Sequence, residues 1–349
     1  MKKILIIICY TFFLQGISAQ TYKSEALNFG LDNYTIPTNQ KGALVGKLLF
    51  CTDGLKRHKI SLAKDTSHLF QIDKNGYIRL KPKIQLLSSS TGFRYGITIK
   101  VAGRLTEIEL VKDQFIHNKV VAHRGAWKNH DASENSLSSL KNAISLGCEG
   151  SEFDVWLSAD SALIICHDPT VGGKIIEKTN SEVLTHIKLK NNDYVPTLKQ
   201  YLLAVKNQNR TRLFLEIKPS QISQERTLTL TDKIVHLIHD LKVQAWVKYI
   251  SFNQKALLQV LELDPGAKTA YLGDDKQAEE LKKDNMWGVD FPYYLFHSNK
   301  TLTQNAHKIG LTVNTWTIDS KEEMQYMLNQ GVDLITTNDP EMLFDLMKK

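Results

Sequence analysis

Two histidines, an arginine and two closely spaced carboxylates stand at or near the ends of short apolar runs between residues 120 and 169. His123 and Arg124 close the run 120–122, Glu152 and Asp154 sit two residues apart in the next, and His167 and Asp168 close a third, 162–166. Charges beside a core are normally paired or bind a metal, because an isolated ion loses its hydration there. Residues two apart on a strand point the same way, so Glu152 and Asp154 share a face. Their oxygens are hard donors of the kind that Mg2+ or Ca2+ takes. Imidazoles exchange protons near neutral pH, and the Arg124 guanidinium presents a planar fork to a phosphate. Together these groups suit metal-assisted hydrolysis of a phosphate ester, with one divalent cation, Ca2+ or Mg2+, as cofactor.

The elements that carry them follow from periodicity. The run 120–122 ends abruptly in charge, as a buried parallel strand does where it surfaces. Ser133 is the expected N-cap of the next helix, whose apolar positions Leu137, Leu140, Ala143 and Ile144 recur at helical spacing, and Gly147 stops it. From residue 119 onward, about eight apolar runs alternate with amphipathic segments, which predicts a (β/α)8 TIM barrel. A doubly wound open sheet is the runner-up, but the only Gly-Gly pair, Gly172-Gly173, follows His167 and does not join a strand to a helix. In a barrel, catalytic groups come from the C-terminal ends of strands. The third strand, 212–219, puts Glu216 and Lys218 on one face, so Glu216 becomes a third converging carboxylate. Lys218 either contacts phosphate or neutralises Glu216, and Trp316 on the seventh strand either walls the substrate or fills the barrel. Glu152 and Asp154 have salt bridges to Arg124 or Lys218 as their alternative, and Asn135 either meets substrate or steadies its helix start.

The ordered set His123-Arg124-Gly125, Glu134-Asn135, Glu152-x-Asp154 and His167-Asp168 resembles the glycerophosphodiester phosphodiesterase family. The likeness runs from about residue 119 to the C-terminus, continuing at Glu216-x-Lys218, at Trp316-Thr317 and at residues 195–198. It implies hydrolysis of glycerophosphodiesters to glycerol 3-phosphate and an alcohol. On this reading Glu152, Asp154 and Glu216 hold the cation, and Arg124 and Lys218 neutralise phosphoryl charge. His123 and His167 are general base and general acid, in either order, each contributing typically ~10²–10⁴-fold. Two nucleophiles fit the same layout, water or the glycerol 2-hydroxyl. Neighbouring readings are a lysophospholipase D-like or other phosphodiesterase, and a non-catalytic surface-binding protein. The turn 158–161 lacks the glycine usual in the family's hairpin.

The chain has 349 residues, 42% of them hydrophobic, enough for two folded domains after a leader. Residues 1–20 combine Lys2-Lys3, an apolar run and the small residues Gly16, Ser18 and Ala19, the pattern of a cleaved signal peptide. This predicts a periplasmic or secreted protein without a transmembrane segment in the mature chain. Cys9 lies inside the apolar run, where lipidation is disfavoured. Cys51, Cys148 and Cys166 are odd in number and widely spaced, against a disulfide framework or zinc site; Cys148 and Cys166 read as small buried apolar residues. The net charge of +7 is spread without a dense basic cluster, so the expected partner is a small molecule and not a nucleic acid. His130, His186, His236, His239, His297 and His307 are expected at the surface. Residues 21–115 predict a small all-β sandwich from runs at 44–48, 59–62, 70–73, 77–80 and 95–101, with Lys74-Asn75-Gly76 as a hairpin turn. Residues 42–48, 70–80 and 95–101 resemble a cadherin-like domain whose acidic calcium motifs are largely missing; binding, spacing and stabilising roles stay open, with a spacer or docking role preferred. The barrel is expected to occupy residues 116–349.

Overall fold

The computed structural model describes residues 29–51 and 59–348. The expected signal peptide at residues 1–20, with Cys9, lies outside the described residues. Eight strands come first: β1 (Phe29–Leu31), β2 (Thr35–Ile36), β3 (Leu44–Phe50), β4 (Ile60–Asp65), β5 (Phe70–Ile72), β6 (Tyr77–Leu80), β7 (Arg94–Val101) and β8 (Arg104–Lys112). They form two four-stranded sheets, ordered β1-β3-β6-β5 and β2-β8-β7-β4. Leu48 and Ile78 of one sheet and Ile99 and Leu110 of the other are buried in a common core, so the two layers make a sandwich. The expected hairpin is present: β5 pairs with β6, and Gly76, at φ 81, donates its amide to the Asp73 carbonyl. Three of these strands are absent from the sequence reading, the short β1 and β2 and the nine-residue β8. In β8, Ile108 and Leu110 are buried while Glu107 and Glu109 alternate with them. It pairs with β7 across Ala102-Gly103, both at positive φ (49 and 86), a two-residue turn whose twist suits a hairpin.

The rest of the chain runs β9 (Val120–Ala122), α1 (Leu137–Leu146), β10 (Gly150–Leu157), β11 (Leu163–Ile165), β12 (Thr170–Val171), β13 (Lys174–Ile175), α2 (Ser181–Thr185), α3 (Leu198–Val205), β14 (Arg212–Ile217), α4 (Gln224–Leu241), β15 (Val247–Ser251) and α5 (Gln254–Leu263). It continues through β16 (Lys268–Tyr271), α6 (Ala278–Lys283), β17 (Gly288–Pro292), α7 (Tyr294–Ser298), α8 (Leu302–Lys308), β18 (Thr312–Trp316), α9 (Lys321–Gln330), β19 (Leu334–Thr337) and α10 (Pro340–Met347). Eight of these strands pair in parallel in the order β10-β14-β15-β16-β17-β18-β19-β9, and β9 closes on β10 at Val121 and Gly150. This is the expected TIM barrel. The apolar run 162–166 contributes β11, which folds back antiparallel on β10 and stays outside the ring, because the four-residue turn before it is too short for a parallel crossover.

Two apolar layers hold the barrel. One lies between strands and helices; the other fills the ring with Val121, Phe214, Ile250, Ala270, Leu272 and Leu334. Gly150 faces Phe214 on the neighbouring strand, and a Cβ there would lie inside the ring's van der Waals surface. The helix starts follow their local chemistry. Helix α1 is capped by Ser136, whose hydroxyl accepts from the Ser139 amide while Ser139 returns the bond to the Ser136 amide. This corrects the expectation that Ser133 is the cap. Asn135 sits at φ 54, outside helical conformation, so the helix can begin only after it. Gly147 ends α1 at φ 79, as expected. Thr197, in the segment 195–198, caps α3 with Gln200. The three cysteines in the described residues are free, Cys51 exposed, Cys148 buried and Cys166 between. No helix among the described residues is long and apolar enough to cross a membrane.

Candidate functional site

Each charged group of the mouth is aimed by the backbone before it. After β9 the His123 amide donates to the Thr337 carbonyl (2.9 Å), Gly125 donates back to Ala122 (3.1 Å), and Arg124 is left-handed at φ 58. Such a conformation costs on the order of 1 kcal/mol or more for a residue with a side chain. Here it turns the Arg124 amide onto Glu152 Oε2 at 2.8 Å, a charge-assisted bond that offsets the strain. The guanidinium reaches Glu134 Oε2, also at 2.8 Å.

Glu152 and Asp154 rise from β10, and Asp154 lies beside Glu216 of β14 in register. The three buried carboxylates offer oxygens all within 4.8 Å of one another. Asn135 braces Asp154 from both ends: its Nδ2 donates to Asp154 Oδ2 (2.8 Å) and its Oδ1 accepts from the Asp154 amide (3.2 Å). That is neither of the two roles expected for Asn135. The Lys218 ammonium stands 3.3 Å from Asp154 Oδ1 and 2.9 Å from Glu216 Oε1. It is off the hydrogen-bonding direction, and both oxygens are buried without a hydrogen-bond donor among the described residues. Burial, then the charge of Asp154 and Glu216, pushes the Glu152 carboxyl well above its usual range. Burial and Asp154 take Glu216 up to about 8. Asp154 also feels burial, but Lys218, His167 and the Asn135 bond together hold it below the ordinary value. Three converging hard carboxylates, two of them sharing one ammonium and each of those two keeping an oxygen without another donor among the described residues, fit a divalent cation.

The His123 ring is fixed by a chain of side chains. Its Nδ1 lies 2.9 Å from Asn338 Oδ1, the Asn338 Nδ2 donates to Asp319 Oδ2 (2.7 Å), and Thr337 donates to Asp319 Oδ1 (3.1 Å). With the Asn338 amide oriented this way, His123 carries its proton on Nδ1. Nε2, 3.9 Å from Glu152, keeps its lone pair. Burial, and then Arg124, depresses the imidazole to about 4. His167 follows β11; its Nδ1 is 2.7 Å from Asp168 Oδ1, and its carbonyl accepts from Trp156 Nε1 (3.2 Å).

His123, Arg124, Glu152, His167, Glu216, Lys218 and Trp316 line a single cavity of about 130 Å³, and Asp154 adjoins it through Glu216 and Lys218. The structure therefore brings all eight expected site residues together. Its other wall is apolar: Trp316 packs edge-on against Phe252 (5.5 Å between centroids) and donates to the Asp290 carbonyl (2.8 Å). Sequence reasoning missed Asn338, Asp319, Phe252 and Asp290. The first two follow the last strands of the barrel and the third follows β15, so the strand-end rule held the signal. Asp290 lies inside β17; its carboxyl is buried, its Oδ1 has no partner among the described residues, and burial raises it to about 7. Of the histidines expected at the surface, His130 bonds Glu341, His239 bonds Asp264, His297 bonds Glu323 and His307 bonds Asp333.

A closed parallel barrel that gathers acids, imidazoles and an arginine–lysine pair at its C-terminal mouth has the layout of a barrel hydrolase acting on an anionic ester. Residues 123–342 match the glycerophosphoryl diester phosphodiesterase family, and the chain belongs to that family of enzymes. It is 29% identical over 247 residues to a glycerophosphodiester phosphodiesterase of Caldanaerobacter subterraneus, covering 66% of this chain and 98% of that one. A solved glycerophosphodiester phosphodiesterase from Parabacteroides distasonis superposes with a TM-score of 0.64 at 35% identity, over 67% of this chain and 98% of that one. An Oleispira antarctica phosphodiesterase solved with its product sn-glycerol 3-phosphate shares the fold, with a TM-score of 0.60 at 24% identity over 66% and 97% of the two chains.

Proposed function

We propose that the mouth hydrolyses glycerophosphodiesters to glycerol 3-phosphate and an alcohol. The carrying observation is that Glu152, Asp154 and Glu216 converge within 4.8 Å in the wall that also presents His123, His167, Arg124 and Lys218. A divalent cation held by the three carboxylates, Ca2+ or Mg2+, would polarise a phosphoryl oxygen and stabilise charge there. Arg124 and Lys218 bind and neutralise the remaining phosphoryl oxygens as negative charge builds. His123, its Nε2 lone pair free, takes the proton of the attacking hydroxyl as the new O–P bond forms. His167, steadied by Asp168, gives a proton to the departing alkoxide as the old O–P bond breaks. Trp316 and Phe252 hold the carbon skeleton and keep water off one side.

The exposed Phe252, 42% accessible beside Trp316, supports a second reading, a lysophospholipid whose acyl chain lies on this rim. A panel of glycerophosphodiesters and lysolipids, assayed with EDTA and after adding back Ca2+ or Mg2+, separates the two. Turnover restored by either ion and largest on water-soluble glycerophosphodiesters is expected; undiminished turnover in a metal-free preparation overturns the carboxylate site. His123→Ala and His167→Ala should each lower kcat by about 10²–10⁴-fold with the circular dichroism spectrum unchanged. The Lys-rich start and apolar run of residues 1–20 support export to the periplasm or medium, and the β-sandwich would travel with the barrel as a spacer or docking platform.

A further inference from the structure

The floor of the barrel, opposite the mouth, contains a larger cavity. About 500 Å³ lies between the N-terminal ends of the barrel strands and the sandwich loop that carries Asp32 and Tyr34, within the range of small-molecule sites. Its acidic lining is already engaged. Asp32 accepts from the Lys47 amide, Glu149 from the Lys119 amide, Asp264 from His239 and the Gly266 amide, and Asp333 from His307 and the Val313 amide.

Lys119 donates to the Val332 carbonyl (2.6 Å), but the other three cations of the lining are not so engaged. The Arg212 guanidinium lies over the Phe115 ring at 4.0 Å, and its buried Nη1 has no acceptor among the described residues. The Lys248 ammonium is held between Trp287 (4.1 Å) and Phe214 (4.8 Å), with no carboxylate of the described residues within ion-pair distance. Lys268 stands beside Lys248 in register across β15 and β16, and neither lysine makes a hydrogen bond through its ammonium within the described residues. Two further buried oxygens in the same wall, Gln244 Oε1 and Tyr249 Oη, also lack partners there. Burial lowers all three cations against the pull of nearby carboxylates; for Lys248, burial, Arg212 and Lys268 outweigh Glu149 and Asp333 and take it down to about 7. The unspent bonding capacity of the cavity is thus positive, clustered, and flanked by aromatic faces.

We propose that this floor cavity binds a small organic anion, its phosphate or carboxylate group received by Lys248, Lys268 and Arg212 and its body lying against Trp287. The site is separate from the mouth and independent of the reaction there. The test uses the full chain labelled with 15N at tryptophan, with the Trp287 indole reporting the floor and Trp316 the mouth, each assigned by a Trp→Phe variant. Inorganic phosphate and citrate are titrated separately at constant ionic strength. For at least one of them the Trp287 resonance should move saturably, with half-saturation below about 1 mM. A response to phosphate alone assigns a phosphate group, and a response to citrate alone assigns carboxylates. Lys248→Met, which keeps the apolar stem between the rings, and Lys268→Gln, which leaves that sandwich intact, should each weaken the movement about tenfold or more while Trp316 responds as in the wild type. A Trp287 resonance unmoved by both anions overturns the proposal. So does saturation unchanged in whichever of the two variants folds.

Discussion

Asn135 defines how the mouth is built at the scale of single residues. It holds Asp154 through both ends of its side chain, at 2.8 and 3.2 Å, while its own backbone occupies left-handed space. Partners of this kind set the direction of a carboxylate and typically change metal affinity or activity 10–100-fold when lost. Asn135→Ala should therefore raise the concentration of Ca2+ or Mg2+ needed for half-maximal turnover by about that factor, as read from activation curves, and lower the melting temperature, because alanine loses both bonds and suits left-handed backbone less well. Asp319 stands in the same relation to His123 through Asn338. Asp319→Ala frees the Asn338 amide to flip and should lower kcat about tenfold or more, with KM nearly unchanged. A large rise in KM without loss of kcat would instead mark Asp319 as a substrate contact.

Elements decide which of these residues can meet. The barrel ring closes only because Gly150 leaves space for Phe214 on the adjacent strand. Gly150→Ala overpacks that contact and should cost about 1–3 kcal/mol, read as a lowered midpoint in urea with a parallel loss of activity. The strand-to-helix alternation after residue 119 was legible because buried parallel strands are continuous apolar runs. Glu152, Asp154, Glu216 and Lys218 were legible because charge inside such a run needs a reason. Other features depend on tertiary contact. Asn135 refuses the helix only because Asp154 is there to receive it, which displaced the cap from Ser133 to Ser136. Asp290 is a lone acid inside a strand, and only the closed ring reveals that its Oδ1 has no partner among the described residues. The alternation of β8 was present in the sequence, but two consecutive positive-φ residues at Ala102-Gly103 make a turn whose first position is not a typical turn residue.

At the scale of the whole molecule, the sandwich is attached to the barrel by specific contacts. Asn209 donates to the Lys112 carbonyl (2.8 Å), Ile116 to the Arg210 carbonyl (2.8 Å), Lys206 faces Glu109 (3.5 Å), and Lys242 pairs with Glu107. The sandwich loop at residues 32–35 also lines one side of the floor, where Lys248 is half-buried. Its value of about 7 in the folded chain lies below the ordinary lysine value of 10.5, so the unfolded chain holds more protons between those limits. Folding therefore becomes more favourable as pH rises from about 7 to 10.5. Lys248→Met removes this dependence and should stabilise the protein by about 1–4 kcal/mol near pH 7, an advantage that fades toward pH 10.5. Denaturation midpoints across that range, in buffers without phosphate or citrate, check both sign and window.

The hairpin arm β11 lies outside the ring, paired along the edge of β10 and bridged on its other side to Pro196 and Thr197, yet it delivers His167. One partner of the proposed proton relay is thus mounted on the closed scaffold and the other on an appendage. Insertions or exchanges between residues 158 and 197 can then reshape what enters the mouth without interrupting the parallel ladder of the ring. Natural variation and laboratory selection for new headgroups should accumulate in that interval and leave the His123 side untouched.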